Sequence, residues 1–216
     1  MSHGIMILGE SGTGKSASMR NLDPQHTLLI QAVKKPLPFR SKDWSYITQD
    51  NKVGNIYVTD QSANIIKAMQ RTTKSVIVID DFQYILANEY MRRSEETGFA
   101  KFTDIGRHAW DILSAIGSGH DNKRVYVLGH TASDEFGKVK AKTIGKMLDE
   151  KITIEGMFSI VLRTTVQNGN YLFSTRNNGS DTVKSPIGLF DEDLIDNDLA
   201  AVDAAIFNYY GLQEAA

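Results

Sequence analysis

The sequence predicts an α/β fold: a mostly parallel sheet flanked by helices, extended by an antiparallel β-hairpin. Three observations predict it. A glycine-rich run, Gly9-Glu10-Ser11-Gly12-Thr13-Gly14-Lys15-Ser16, joins a short apolar stretch to a helix start. Residues 75–79 (S-V-I-V-I) are apolar without alternation, as in a strand buried on both faces, and end in Asp80-Asp81. Asn168-Gly169 separates two strand-like runs, the composition that a tight hairpin turn requires.

The elements follow in order. Residues 4–8 (G-I-M-I-L) read as the first strand, and a helix is expected over 16–22. Residues 27–33 form a second strand, broken at Lys34-Lys35-Pro36-Leu37-Pro38. Residues 44–48 suit a short strand or part of an excursion, and 56–59 suit another strand. Ile65, Ile66 and Met69 keep helical spacing behind Asp60 or Ser62 as cap. Phe82, Ile85, Leu86 and Tyr90 share one helical face, and Phe102, Ile105, Ala109, Ile112, Leu113 and Ile116 share a second. Residues 124–129 are a buried strand ending at His130-Thr131. Residues 132–147, rich in Lys and Gly, read as an exposed loop, and 151–155 alternate as in a strand. Runs 158–167 and 171–175 form the hairpin, 176–186 a polar loop, and Leu199, Val202, Ile206 and Tyr209 a last helix stopped by Gly211. Strands alternating with helices, then a hairpin, give the stated class.

Bulk properties narrow the function. The 216 residues suit one domain, 1–216, with 41% hydrophobic and 23% charged residues. With a net charge of −2, contact with nucleic acid requires a local patch. The absence of cysteine excludes disulfides, zinc–thiolate sites and thiol catalysis. No leader peptide or membrane-length apolar run is visible, so the expected location is the cytoplasm, with no membrane partner.

The chemistry rests on the first run, which matches the phosphate-binding P-loop, G-x-x-x-x-G-K-[ST]. Its glycines let backbone N–H groups turn toward phosphates, and the following helix start adds positive potential. Gly9, Glu10, Ser11, Gly12, Thr13, Gly14, Lys15, Ser16 and Ala17 are therefore the candidate ATP-binding residues. Lys15 is expected on the β- and γ-phosphates and the Ser16 hydroxyl on Mg²⁺. Asp80, at the end of the apolar strand, is the second Mg²⁺ residue. Asp81 is the preferred group to orient the attacking water, with Asp60 as the alternative. His130 ends the strand after Asp81 and suits a γ-phosphate sensor. Lys138, Lys140 and Lys142, with Lys146 behind them, suit a phosphate-backbone contact or a solvated loop; Phe136 is the one aromatic among them. Arg176 and Lys184 are the candidate cations for a neighbouring subunit's γ-phosphate.

Taken together, the P-loop, V-I-V-I-D-D-F-Q-Y (76–84), V-Y-V-L-G-H-T (125–131), K-T-I-G-K-M-L-D-E-K-I-T-I-E-G-M-F (142–158) and Asn177-Asn178-Gly179-Ser180-Asp181 resemble a known group. The chain resembles phage-encoded P-loop ATP-binding proteins of the AAA_24 type, the Sak4-like group of RecA-related single-strand annealing proteins. That resemblance implies a RecA-like core that binds ATP and Mg²⁺, binds and anneals single-stranded DNA in phage recombination, and assembles into a homo-oligomeric ring or filament. It also implies a phage single-stranded DNA-binding protein as partner and the host bacterial cytoplasm as location. No glutamate stands where RecA keeps its catalytic acid. Two other readings are an ATP-binding switch with negligible turnover and a small-molecule kinase. The kinase reading lacks an arginine-rich lid. A GTPase would need N-K-x-D, and Asn51-Lys52 is followed by Val53-Gly54.

Overall fold

In the computed structural model, which describes residues 2–119, 122–145 and 147–213, one twisted sheet organises the chain. Its strands are β1 (His3–Gly9), β2 (Thr27–Gln31), β3 (Ile56–Val58), β4 (Val76–Asp80), β5 (Arg124–Ser133), β6 (Val139–Ala141), β7 (Ile160–Gln167), β8 (Asn170–Ser174) and β9 (Leu194–Asp196). The order is β3-β2-β4-β5-β1-β7-β8-β9, with β6 paired to β5. The six strands from β3 to β7 are mutually parallel; β8 and β9 continue antiparallel. The P-loop strand β1 and the acidic strand β4 are thus separated by β5.

Both faces of the parallel strands are covered, which is why their sequences lack alternation. Met6, Leu8, Ile77, Ile79, Val125 and Val127 face a layer of three helices: α1 (Ser62–Arg71), α2 (Phe82–Arg92) and α3 (Ala100–Gly117). Their neighbours Ile5, Ile7, Val76, Val78, Tyr126 and Leu128 face Met19, Leu22 and α4 (Leu199–Tyr209). Each such fully buried aliphatic side chain contributes about 1.5–3 kcal/mol. Among the described residues no helix is long and apolar enough to cross a membrane.

Several expectations change here. The helix expected over 16–22 is a short 3-10 helix, Ser16–Asn21. The chain must travel from β1 across β5 and β4 to β2, roughly 14 Å sideways at the usual strand spacing, in few residues. Tyr46 makes only an isolated bridge to Ile56, so residues 44–48 belong to an excursion along the sheet edge. Asp60 and Ser62 do not cap α1: the N-cap is Gln61, without a side-chain cap.

The segment 132–147, expected as an exposed loop, is largely a built arm. β5 runs on to Ser133 and returns as β6. The turn is made by Asp134, whose Oδ1 accepts from the backbone N–H of Phe136 and Lys138, both at 2.9 Å, and by Gly137 at φ 79°. Few apolar residues mark this hairpin, so sequence periodicity misses it; its turn chemistry is the legible signal. Lys146 lies outside the described residues. The alternation over 151–155 is also not a strand: a turn of π-helix (Met147–Lys151) and a 3-10 helix (Ile154–Met157) occupy it. Residues 168–169 do form the expected turn, with φ of 52° and 79°. β9, absent from the sequence reading, closes the sheet on β8.

Candidate nucleotide-binding site

The parallel strands bring their carboxyl ends to one edge, where open α/β sheets bind ligands. The P-loop leaves β1 at Gly9, which pairs in register with His130 of β5. β4 delivers Asp80, paired in register with Leu128 of β5, and then Asp81 to the same edge.

The loop is held from below by the sheet. Thr13 and Thr164 hydroxyls meet at 2.5 Å, and Thr164 also donates to the Leu8 carbonyl at 3.3 Å. A Cβ at Gly9 would collide with the Thr164 hydroxyl, so glycine is required there by close approach. Gly14 has φ 96°, and a Cβ on it would lie 3.0 Å from both Tyr171 and Asn197. These contacts explain two of the motif's glycines without any ligand.

Lys15 is buried, 6% exposed, and folds back onto the loop: its Nζ donates to the carbonyls of Gly9 at 2.9 Å and Glu10 at 2.8 Å. Burial lowers its pKa below that of ordinary lysine, and the Asp81 and Asp80 carboxylates pull it partly back up. The Ser16 hydroxyl donates to Asp80 Oδ1 at 3.0 Å. Asp80 is 1% exposed, and its Oδ2 has no hydrogen-bond partner. Lys35 Nζ lies 3.4 Å from that oxygen, near enough for attraction but not aligned to donate. Burial raises the Asp80 pKa, and the neighbouring Asp81 charge adds to the rise against Lys35 and Ser16. A buried carboxylate with one unserved oxygen beside a serine hydroxyl is a hard-oxygen pair that suits Mg²⁺. Ser16 and Asp80 would hold that ion, leaving its remaining positions to phosphate and water. No cluster of three or more His, Cys, Asp or Glu residues that could bind a metal unaided occurs among the described residues.

Asp81 is 4% exposed. His130 Nε2 lies 2.8 Å from its Oδ2, while Oδ1 has no partner. Tyr84 meets the His130 ring edge-on at 6.2 Å between centroids. Lys15, Ser16, Asp81, His130, Tyr84 and Lys35 all line one cavity of about 470 Å³, with Ser11, Gly12, Gly14 and Ala17 along the P-loop and Val33, Pro36, Pro38 and Tyr171 around the rest. That volume suits a small ligand.

The other sequence candidates lie elsewhere. Asp60 is tied to Arg92 at 2.6 Å and does not line the cavity; β3 lies four strand spacings from β1, roughly 19 Å. Arg176 is exposed, donating to Asp193 at 2.7 Å and to the Asp191 carbonyl at 3.1 Å. Lys184 is exposed beside β7, its backbone bridged to Val161. Neither lines the cavity of its own chain. Lys138 and Lys142 are exposed and Lys140 half-buried on the β5–β6 arm, with Phe136, 87% exposed, at its tip.

That arm is anchored. Lys142 N–H donates to the His130 carbonyl at 2.8 Å, and Val139 N–H to the Ser180 carbonyl at 2.8 Å. Glu155, 5% exposed, accepts from the Ala141 N–H at 2.7 Å and the Thr182 hydroxyl at 3.3 Å. The stretches 142–158 and 177–181, far apart in sequence, therefore meet under β6.

Sequence reasoning missed Lys35, Thr164, Tyr171 and Glu155. Lys35 looked like part of a strand-breaking dipeptide. Its signal was position: β2 lies beside β4, so the residues just past β2 reach the acidic strand end.

No protein-family model matches the chain, and no curated protein matches it. Solved structures do match. One is a KaiC-like protein from the hyperthermophilic archaeon Pyrococcus horikoshii, at 13% identity and a TM-score of 0.47, covering 79% of this chain and 77% of that one.

Proposed function

We propose that the protein is an ATP- and Mg²⁺-dependent ATPase whose nucleotide state is transmitted to a DNA-binding arm. The observation that carries this reading is the convergence on one cavity of Lys15, the Ser16–Asp80 hydrogen bond and the Asp81–His130 pair. Lys15 exchanges its loop carbonyls for the β- and γ-phosphate oxygens, and its buried charge acts strongly on them. Ser16 and Asp80 would hold Mg²⁺, which would neutralise phosphate charge. Asp81 offers its unserved oxygen to a water placed against the γ-phosphorus. The water oxygen bonds to the γ-phosphorus and gives up a proton to the Asp81 carboxylate, the bond to the β–γ bridging oxygen breaks, and ADP and inorganic phosphate leave. His130 fixes the orientation of Asp81. Asp81 is preferred to Asp60 because it lines the cavity.

Transmission uses covalent continuity. His130 belongs to the strand that becomes the arm, and its carbonyl receives the Lys142 N–H. A change at Asp81 on phosphate release would thus reach Lys138, Lys140, Lys142 and Phe136. Lysines beside an exposed aromatic suit single-stranded DNA, through phosphate contacts and base stacking. We extend the reading to annealing in phage recombination by a homo-oligomeric ring or filament, with Arg176 or Lys184 completing a neighbour's site and a phage single-stranded DNA-binding protein as partner. The support for that extension is the sequence resemblance and the exposure of both cations outside their own cavity.

The test is steady-state ATP hydrolysis with and without single-stranded DNA, on wild type, Lys15→Ala and Asp81→Ala. Turnover that rises with DNA and disappears in both variants is expected. Tight ATP binding with no phosphate release in the wild type would instead establish the switch reading, which the Asp81–His130 bond favours by occupying one carboxylate oxygen. Phosphate transfer to a nucleoside or sugar would establish the kinase reading.

A further inference from the structure

A second concave site lies away from the nucleotide cavity and shares no residue with it. It has a volume of about 590 Å³ and runs between α1, the edge strand β3 and the excursion that precedes β3. Its floor is apolar: Leu28 of β2, Ile47, Tyr57 of β3 and Ala68 of α1. Val53, 91% exposed, stands at its rim. Its charged lining is entirely cationic: Lys52, Lys67, Arg71 and Lys74.

The charge is uncompensated. Among the described residues Lys52, Lys67 and Arg71 make no ion pair. Lys67 and Arg71 are four apart on α1, where like charges repel and weaken the helix. Of the eight other arginines, six have a carboxylate partner, Arg92, Arg93, Arg107, Arg124, Arg163 and Arg176, while Arg20 bonds to backbone carbonyls and Arg40 makes no ion pair among the described residues. Lys74 is a lesser contributor, because its ammonium is held by the Gln25 carbonyl and the adjoining hollow contains Asp23 and Asp43.

We propose that this groove binds an acidic peptide segment of a partner protein, anchored by one large apolar side chain. The three unpaired cations recognise its carboxylates, and the Leu28–Ile47–Tyr57–Ala68 floor takes the anchor. A peptide fits better than nucleic acid because the floor is mainly aliphatic with a single aromatic, whereas single strands need successive stacking platforms. An anchored apolar side chain within a charged rim is the usual anatomy of a protein contact. The proposal is independent of the nucleotide site.

The test is fluorescence anisotropy with a labelled peptide of six aspartates around one phenylalanine, compared with the same peptide carrying alanine at that place and with an oligothymidylate of equal charge. Wild type should bind the phenylalanine peptide more tightly than the alanine peptide, and any oligothymidylate binding, which belongs to the β5–β6 arm, should survive substitution in the groove. Combined Lys52→Glu, Lys67→Glu and Arg71→Glu should weaken it about tenfold or more, the loss expected for three exposed pairs of ordinary strength. Lys138→Ala with Lys142→Ala should leave it unchanged. A far-UV circular dichroism spectrum and melting temperature unchanged from wild type show that the triple variant is folded; Tyr57→Ala, which keeps every charge, should weaken the phenylalanine peptide selectively and serves if the triple variant does not fold. Equal binding of the alanine peptide overturns the proposal in favour of general charge attraction. Tighter binding of the oligothymidylate, lost with the same substitutions, overturns it in favour of nucleic acid.

Discussion

Two charged groups of the molecule differ sharply: the one at the carboxyl edge of the parallel strands and the Arg176–Asp193 pair beyond β7. At the carboxyl edge of β1 and β4, Lys15, Asp80 and Asp81 are 6%, 1% and 4% exposed, and Asp80 and Asp81 each keep a buried oxygen without a partner. Beyond β7, Arg176 is 56% exposed by side chain and bound to Asp193, itself 71% exposed. Burying a charge with an unserved oxygen costs stability, and folded chains retain such groups where a ligand completes them. An exposed pair costs and contributes little. Burial and incomplete pairing therefore set Asp80 and Asp81 apart from the Arg176–Asp193 surface pair; Asp181 shares both features outside the cavity, but there Arg163 stands 3.3 Å from the carboxylate.

The largest effect expected from breaking this contrast is at Lys15. Lys15→Ala should lower ATP turnover at least about 100-fold, measured by phosphate release, because it removes a preorganised cation from a buried site. Asp81→Asn should lower turnover about 100-fold or more while leaving ATP affinity within a fewfold, since on the proposed reading it removes the carboxylate that orients the water and no phosphate contact. Gly9→Ala should destabilise the fold by about 1–3 kcal/mol in denaturant unfolding, as an overpacked contact with Thr164. Adding Thr164→Ala should restore much of that loss; no restoration would show that the glycine serves loop geometry instead.

Asp80 gives a test with a definite sign. Its folded pKa is raised above the unfolded value of about 3.8, so the folded state holds its proton to higher pH than the unfolded state does. Between those two pKa values stability falls as pH rises, and above the folded pKa the full cost of the buried charge is present. Asp80→Asn should stabilise the metal-free protein at pH 7, by about 0.5–2 kcal/mol, remove that fall, and abolish Mg²⁺-dependent turnover. Thermal unfolding across pH with EDTA present reads the first two effects. The smallest effect is at the other end of the molecule. Arg176→Ala should change unfolding free energy by about 0.5 kcal/mol or less. A large loss of turnover in that otherwise stable variant would mark Arg176 as a cation used by a neighbouring subunit.

Local pattern by itself determined the class of the fold and one side of the site. The P-loop, the non-alternating strand before Asp80-Asp81, the helical faces on 82–90 and 102–116 and the Asn168-Gly169 turn are short-range signals, each set by residues a few positions apart. The tertiary structure alone decided what faces them. It gave Lys35 a place beside Asp80, bonded His130 to Asp81, moved Asp60 out of the cavity onto Arg92, and turned residues 132–141 into an arm footed on Glu155 and Ser180. Those contacts join residues 14 to 49 positions apart, most of them across strands whose order is set by burying both faces of the sheet. Periodicity carries the burial but not the order, so the completion of the site became visible only when the strands were laid side by side.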